Sequence, residues 1–192
     1  MKPNNEIKYS TRTFDAEYNT RDVDGKKLIE GYFAVFNSPY TGEWGFETID
    51  PAAFDEIGGD DIRALINHDS TYVMGRTTAG TLLLRVDEIG LWGSIEVNPN
   101  DQDAVNCYER VKRGDVTQCS FGFDILAEDT EALDDGKTHY HIRKIKLYEV
   151  SVVTFPAYKD TGVVARSEQF NERKRAFVDS WKEAQKNKLK GA

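Results

Sequence analysis

The sequence predicts a mainly β (α+β) domain, a small antiparallel β-barrel with peripheral helices. Three observations support this fold class. Short apolar or alternating segments separated by turn residues occupy the first two thirds of the chain. Turn residues at 88–90 and 134–137 are typical of β-hairpins. Only two segments before residue 167 have a helical pattern, and 192 residues suffice for one domain with a sizeable core.

Seven strands are predicted in chain order from these patterns. Residues 6–14 alternate in polarity, and residues 28–36 (LIEGYFAVF) form a second, largely apolar run. The run 62–67 (IRALIN) reads as a buried strand that ends at His68. The remaining predicted strands are 81–87, 91–97, 117–127 and 138–155, and Pro156 ends the last of them.

Two helices are predicted between these strands. Asp50 suits an N-cap and Pro51 the first helical turn, and the glycines at 58–59 end this short helix. The second helix, at 101–113, places its apolar side chains on one face, and Gly114 follows as a C-cap. Both helices are therefore expected at the periphery of the barrel.

The chain is expected to consist of a barrel domain at 1–166 and a tail at 167–192. Ser167 can cap a tail helix, and residues 186–190 are basic. A terminal helix docked on the barrel and a detachable, removable tail that recruits a partner are both compatible with this pattern.

Composition excludes several classes of function. The net charge of −8, from 33 acidic and 25 basic side chains, argues against a nucleic-acid partner. No apolar run reaches the roughly 20 residues of a membrane helix, and no secretory pattern is expected at the N-terminus. Cys107 and Cys119 lack metal-site or scaffold spacing, so a reducing cytosol is the expected location and no cofactor is expected.

His68 is a candidate general base because it follows an apolar strand and precedes polar residues. Ser120, at the start of an aromatic-rich strand with Gly122 two positions on, is a candidate nucleophile. Cys119 is the alternative nucleophile, and the two neighbours point to opposite faces of a strand. A capping histidine and a backbone-bonded serine are the structural alternatives for the first two residues.

Glu149 lies among apolar strand residues, where an ionised carboxylate requires a partner. A histidine, or else a lysine or arginine, could supply it. His139 and His141 share one face of a strand, as in several metal sites. Because the nearby Lys137, Arg143, Lys144 and Lys146 are basic, a solvent-facing hairpin is favoured over zinc and no metal is expected. The triplet at 160–162 (DTG) reads as a loop turn.

Several motifs in one order resemble the tailed-phage prohead maturation protease family, which is related to the herpesvirus assemblin proteases. The motifs are residues 31–37 (GYFAVFN), 46–54 (FETIDPAAF), 64–69 (ALINHD), 75–76 (GR), 119–123 (CSFGF) and 147–158 (LYEVSVVTFPAY). The similarity extends from about residue 9 to residue 166. It implies an assemblin-like β-barrel with Ser120 as the nucleophile of a serine endopeptidase and His68 as its general base and acid.

The same resemblance implies that Glu149 orients His68, with His139 and His141 held in reserve because assemblins use a second histidine. The implied reaction is cleavage of the scaffolding segment of the major capsid precursor, and of the protease itself, within the prohead in the host bacterial cytoplasm. Oxyanion donors are expected near the loop after Phe155. A catalytically inactive capsid scaffold or interaction protein of this fold is the alternative, and self-association is left open.

Overall fold

A computed structural model describes residues 10–15, 18–23, 25–36, 38–42 and 45–154. The expected tail, the triplet at 160–162 and the loop after Phe155 lie outside these residues. The described part contains the strands β1 (Ser10–Asp15), β2 (Asn19–Val23), β3 (Lys26–Val35), β4 (Tyr40–Gly42), β5 (Gly45–Ile49), β6 (Arg63–Ile66), β7 (Asp69–Arg76), β8 (Leu82–Val86), β9 (Gly90–Glu96), β10 (Gln118–Ala132) and β11 (Thr138–Val153), and the helix α1 (Gln102–Arg113).

The strands pair into two sheets, which confirms the mainly β fold class. In the first sheet the order is β1-β10-β11-β5-β4, and β6 pairs with both β11 and β7. The second sheet has the order β2-β3-β9-β8. Most pairs are antiparallel, but β11 runs parallel to β5 and to β6. Within the described residues the pairings form two sheets and not one closed ring of strands.

The core is filled by aromatic and branched side chains from both sheets. Phe121 and Phe123 on β10 stack with ring centroids 4.8 Å apart, and Phe54 packs on Phe121 at 6.0 Å. Phe33 on β3 and Leu91 on β9 are fully buried in the same cluster. Burying a side chain of this size contributes roughly 1.5–3 kcal/mol, so these residues fix the position of β10.

Helix α1 forms where the sequence predicts it. Asp101 accepts hydrogen bonds from the backbone of Asp103 and Ala104, at 3.0 and 3.3 Å, and Gly114 ends the helix with φ of 86°. Its apolar face buries Cys107, and this burial raises the pKa of the thiol to about 11. In the described ranges no helix has the length and apolar composition needed to cross a membrane.

The predicted helix after Asp50 is instead two short 3-10 helices, Pro51–Phe54 and Ile57–Gly59. Asp50 caps the first, since its carboxylate accepts from Ala52 N at 2.9 Å. The segment buries only Ala53, Phe54 and Ile57, and the glycines end it before a stable α-helical turn can accumulate.

Four strands escape the sequence patterns: β2, β4, β5 and β7. β7 is informative because Asp69 to Val73 are all exposed, so no alternation of buried and exposed positions marks it. β10 extends to Ala132, five residues beyond its predicted end, for the same reason: its second half is exposed on both faces. Polar, exposed strands depend on their partners and not on a local signal.

We expect Gly90→Ala, in the second sheet, to lower the free energy of unfolding by about 3 kcal/mol. A Cβ at residue 90 would overlap the carbonyl oxygen of Ala34 and lie 3.0 Å from Val35 Cα, and both are backbone atoms of β3. Gly58→Ala is the matched control, because nothing lies within 4 Å of its added methyl group. Thermal unfolding would measure both, and equal melting temperatures for the two variants would contradict the proposed close contact.

Candidate active site

His68 lies in a two-residue turn that joins β6 to β7. Asn67 and His68 have φ values of 52° and 60°, as both central residues of a type I′ hairpin turn require. Glycine is usual at the second position, so a histidine there costs conformational energy and marks a candidate functional residue. The polar residues after His68 form a strand and not a loop, since β7 begins at the next residue.

Three hydrogen bonds attach the turn to β11 and to Thr154, the residue that follows it. Asn67 N donates to the carbonyl of Val152 at 2.9 Å, and Thr154 N donates to Asn67 Oδ1 at 2.8 Å. His68 N donates to Ser151 Oγ at 3.2 Å. These contacts fix the backbone of His68 against the strand that carries Glu149.

Glu149 contacts the imidazole of His68 directly. Nδ1 of His68 lies 2.7 Å from Glu149 Oε1, and the carboxylate is only 2% exposed. Arg63 is the backbone neighbour of Glu149 on β6, but its guanidinium pairs with Asp61 at 3.1 Å. Of the partners compatible with the sequence, the geometry therefore supplies the histidine.

Ser151 holds the other oxygen of the same carboxylate. Its hydroxyl donates to Glu149 Oε2 at 2.5 Å and accepts the hydrogen bond from His68 N. Residues two apart on a strand share a face, which places both side chains beside the turn. Ser151 is fully buried, so the carboxylate is fixed between one hydroxyl and one imidazole.

The second nitrogen of His68 has no hydrogen-bond partner among the described residues. Nε2 is buried and is the only such side-chain polar atom in the described part of the chain without a hydrogen-bond partner. Leaving a buried polar group unsatisfied costs about 1–3 kcal/mol. An imidazole with Nδ1 on a carboxylate and Nε2 open is arranged to accept a proton from a third group.

Ser120 lies one strand away, directly opposite Ser151 in the register of β10 and β11. Opposed residues of an antiparallel pair share a face, so Ser120, Ser151 and Glu149 project to the same side of the sheet. The fully buried Ser120 hydroxyl donates to the Arg12 carbonyl at 2.9 Å and accepts from Thr13 Oγ1 at 3.3 Å. No hydrogen bond joins it to His68 in the described structure.

Cys119 projects to the opposite face of β10, into the core. It is fully buried, and its thiol lies 3.1 Å from the carbonyl oxygen of Tyr32 on β3. Strand alternation therefore places Ser120, and not Cys119, on the face of Glu149.

The structure does not bring His139 or His141 to His68. His141 precedes Glu149 on β11 by eight residues, which corresponds to roughly 26 Å along a strand. His139 stacks on Phe46 with ring centroids 4.0 Å apart. Burial and the neighbouring His141 lower the pKa of His139. The reserve assignment of either histidine to a triad with His68 therefore has no geometric support.

Sequence reasoning missed Asn67, Ser151 and the β1 residues that bond Ser120. The spacing of Glu149 and Ser151 in the motif 147–158 was a usable signal for Ser151, since residues two apart on a strand share a face. Asn before a histidine turn was a weaker signal, because Asn tolerates positive φ. The contact of β1 with Ser120 spans more than 100 residues and has no local signature.

Three comparisons relate the chain to known proteins. The family described as caudovirus prohead serine protease matches residues 14–176, a range that includes His68, Ser120 and Glu149. The prohead protease of Enterobacteria phage HK97 is 29% identical over 160 residues, covering 81% of this chain and 67% of that protein. The solved bacteriophage T4 capsid assembly protease, gp21, aligns with a TM-score of 0.48 and 12% identity, over 76% of this chain and 99% of that one. From the family match, the chain belongs to the caudovirus prohead serine proteases.

Proposed function

We propose that this chain matures a tailed-phage prohead by cutting the scaffolding segment from the major capsid precursor, and by cutting itself. Membership of the prohead serine protease family supports peptide hydrolysis during capsid assembly. The similarity to the HK97 prohead protease supports the same role. The proposed place of action is the interior of the immature shell in the host bacterial cytoplasm.

The observation that carries the proposal is the state of the His68 ring. Nδ1 is held by Glu149 at 2.7 Å, while the buried Nε2 has no partner in the described structure. A purely structural histidine at this depth would satisfy both nitrogens, because an orphaned polar atom reduces stability. The open nitrogen fits a general base that waits for the hydroxyl of a nucleophile.

In the proposed mechanism His68 Nε2 accepts the proton of Ser120 as Oγ attacks a peptide carbonyl. Glu149 holds the ring in the tautomer with the proton on Nδ1 and stabilises the imidazolium that forms. The protonated ring then gives its proton to the leaving amine, and water hydrolyses the acyl-enzyme with His68 again as base. The oxyanion donors are expected in the loop after Phe155, outside the described residues.

This mechanism requires Ser120 to change its hydrogen-bond partners. Its hydroxyl is bonded to the Arg12 carbonyl and to Thr13 on β1. Ser120 and His68 both adjoin Ser151, one across the strand pair and the other through its backbone N–H. We propose that a change of the Ser120 rotamer, with release of the β1 contacts, brings Oγ to Nε2 in the reactive state.

The experiment that tests this function is co-expression with the major capsid precursor of the same phage, followed by intact-mass measurement of both chains. The unaltered protease should shorten the precursor at a defined peptide bond. His68→Ala should leave the precursor at full length while the protease remains folded. An uncut precursor with the unaltered protease, in assembled proheads, would contradict the proposal.

A catalytically inactive scaffold protein of the same fold is the second candidate. The burial of Ser120 and its bonds to β1 favour it, since a covered hydroxyl cannot attack. A fluorophosphonate probe discriminates between the two, because it labels only an activated serine. A single label on Ser120 excludes the inactive protein, and absence of label in both dilute protein and assembled proheads supports it. The same comparison tests whether self-association within the shell activates the protease.

A further inference from the structure

The far end of the β10–β11 hairpin carries a compact group of three metal-ligating side chains. Glu131 on β10 lies opposite His139 on β11, and His141 follows two residues later on the same face. Their donor atoms all lie within 4.8 Å of one another. This group is separate from the proposed catalytic residues, since His141 is roughly 26 Å along β11 from Glu149.

We propose that Glu131, His139 and His141 bind one divalent transition-metal ion, with Zn²⁺ as the expected ion. Glu131 Oε2 lies 3.9 Å from His139 Nδ1 and 3.6 Å from His141 Nε2. Two donors bound to one tetrahedral zinc at about 2.0–2.2 Å lie about 3.3–3.6 Å apart. Since all three donor atoms already lie within 4.8 Å of one another, rotations of the exposed Glu131 carboxylate and the two partly buried imidazoles that shorten these distances by up to about 1 Å would complete the site. Two imidazoles favour zinc over hard cations such as Mg²⁺.

The surroundings of His139 prepare its Nδ1 to bind a metal. Its other nitrogen, Nε2, lies 2.8 Å from Thr48 Oγ1. A hydroxyl that accepts the Nε2 proton leaves the Nδ1 lone pair directed at the ion, as the outer partners of metal-bound histidines do. The ring of Phe46 stacks on the imidazole and fixes its plane. Both contacts come from β5, so the ring is oriented by a neighbouring strand.

Each nearby basic residue has an acidic partner, which reduces its repulsion of a dication. Arg143 pairs with Asp50 at 2.5 Å and with Asp129 at 2.8 Å. The other ion pairs are Lys137 with Asp135, Lys144 with Glu56 and Lys146 with Asp60. The sequence argument against a metal rested on the positive charges of these residues, and their ion pairs weaken that argument.

The ion would act as a clamp on the hairpin and not as a catalyst. It would link β10 to β11 at the end of the hairpin where β5 pairs with β11 and where Thr48 and Phe46 contact His139. Three protein ligands leave a fourth position for water or for a side chain of another protein. Because the folded hairpin assembles the donors, zinc binding should raise the melting temperature.

The test is zinc binding by the full chain after removal of metal with a chelator. We expect about one Zn²⁺ per chain by titration calorimetry, and tetrahedral absorption when Co²⁺ replaces it. His141→Asn should abolish binding, and Thr48→Val should weaken it about 10-fold or more through the lost outer contact. Glu131→Gln removes a proposed ligand and should weaken zinc binding. Its matched control is Glu128→Gln, because Glu128 is an exposed carboxylate opposite Ile142 and its loss should leave the zinc affinity unchanged.

Two results would overturn the metal site: no zinc binding at micromolar concentration by the metal-free chain, or equal affinity in His141→Asn and the unaltered protein. The comparison uses variants whose metal-free forms show the same circular dichroism as the unaltered chain. His139→Ala also removes the stacking on Phe46, so His141→Asn is the decisive variant. Peptidase activity is not the readout, and the outcome is independent of the proposed function.

Discussion

Ser120→Ala should abolish cleavage of the capsid precursor, with a loss of about 10⁴-fold or more in rate. The substitution removes the hydroxyl that lies directly opposite Ser151 in the register of β10 and β11. It adds no atoms, and the lost bond to the Arg12 carbonyl is one of many in the β1–β10 pair. The fold should therefore persist. Quantitative mass spectrometry of the co-expressed precursor measures the loss.

Cys119→Ala is the matched control for this variant. It removes a side chain of similar size from the adjacent residue, but on the core face of β10. We expect cleavage within a few-fold of the unaltered protein and a slightly lower melting temperature, because a small core cavity forms. Retained cleavage in Ser120→Ala together with loss in Cys119→Ala would move the nucleophile to the thiol.

The parts of the fold that the sequence predicted are those with local signals. Helix α1 has a capping carboxylate at Asp101, an apolar face and a C-cap at Gly114, and all three lie within 14 residues. β5 has no such signal, and although β4 is close in the chain, its other partner β11 lies about 90 residues further along. Pairing at that separation depends on the register of the whole sheet, which a local pattern does not contain.

The residues of the candidate site also divide into those that have a local sequence signal and those that do not. Residue type and position at the end of an apolar strand were enough to propose His68, and the depth of Glu149 followed from its apolar neighbours. The sequence could not distinguish histidine from arginine as the partner of Glu149. An arginine, Arg63, does lie beside Glu149 on β6. That choice depends on a left-handed turn at Asn67 and His68, which aims the imidazole back at β11.

Glu149→Gln is expected to slow cleavage by about 10³- to 10⁴-fold while the fold remains intact. The amide is nearly the same shape as the carboxylate but cannot stabilise the imidazolium that forms during attack. Ser151 adds to this effect. Its hydroxyl donates to Oε2, so it favours the orientation of the new amide that keeps an oxygen at that position. The amide nitrogen would then face His68 Nδ1, donate to it and move the ring proton to Nε2, where the ring cannot act as a base.

Glu30→Gln is the control for this variant, because Glu30 is a second buried carboxylate, bonded by Ser94 and Arg21 in the other sheet. It should leave the rate of cleavage unchanged. Ser151→Ala tests the tautomer argument: added to Glu149→Gln, it removes the preference for oxygen at that position and should restore part of the lost rate. Full activity in Glu149→Gln alone would show that the carboxylate only fills space, and His68 would then require another orienting group.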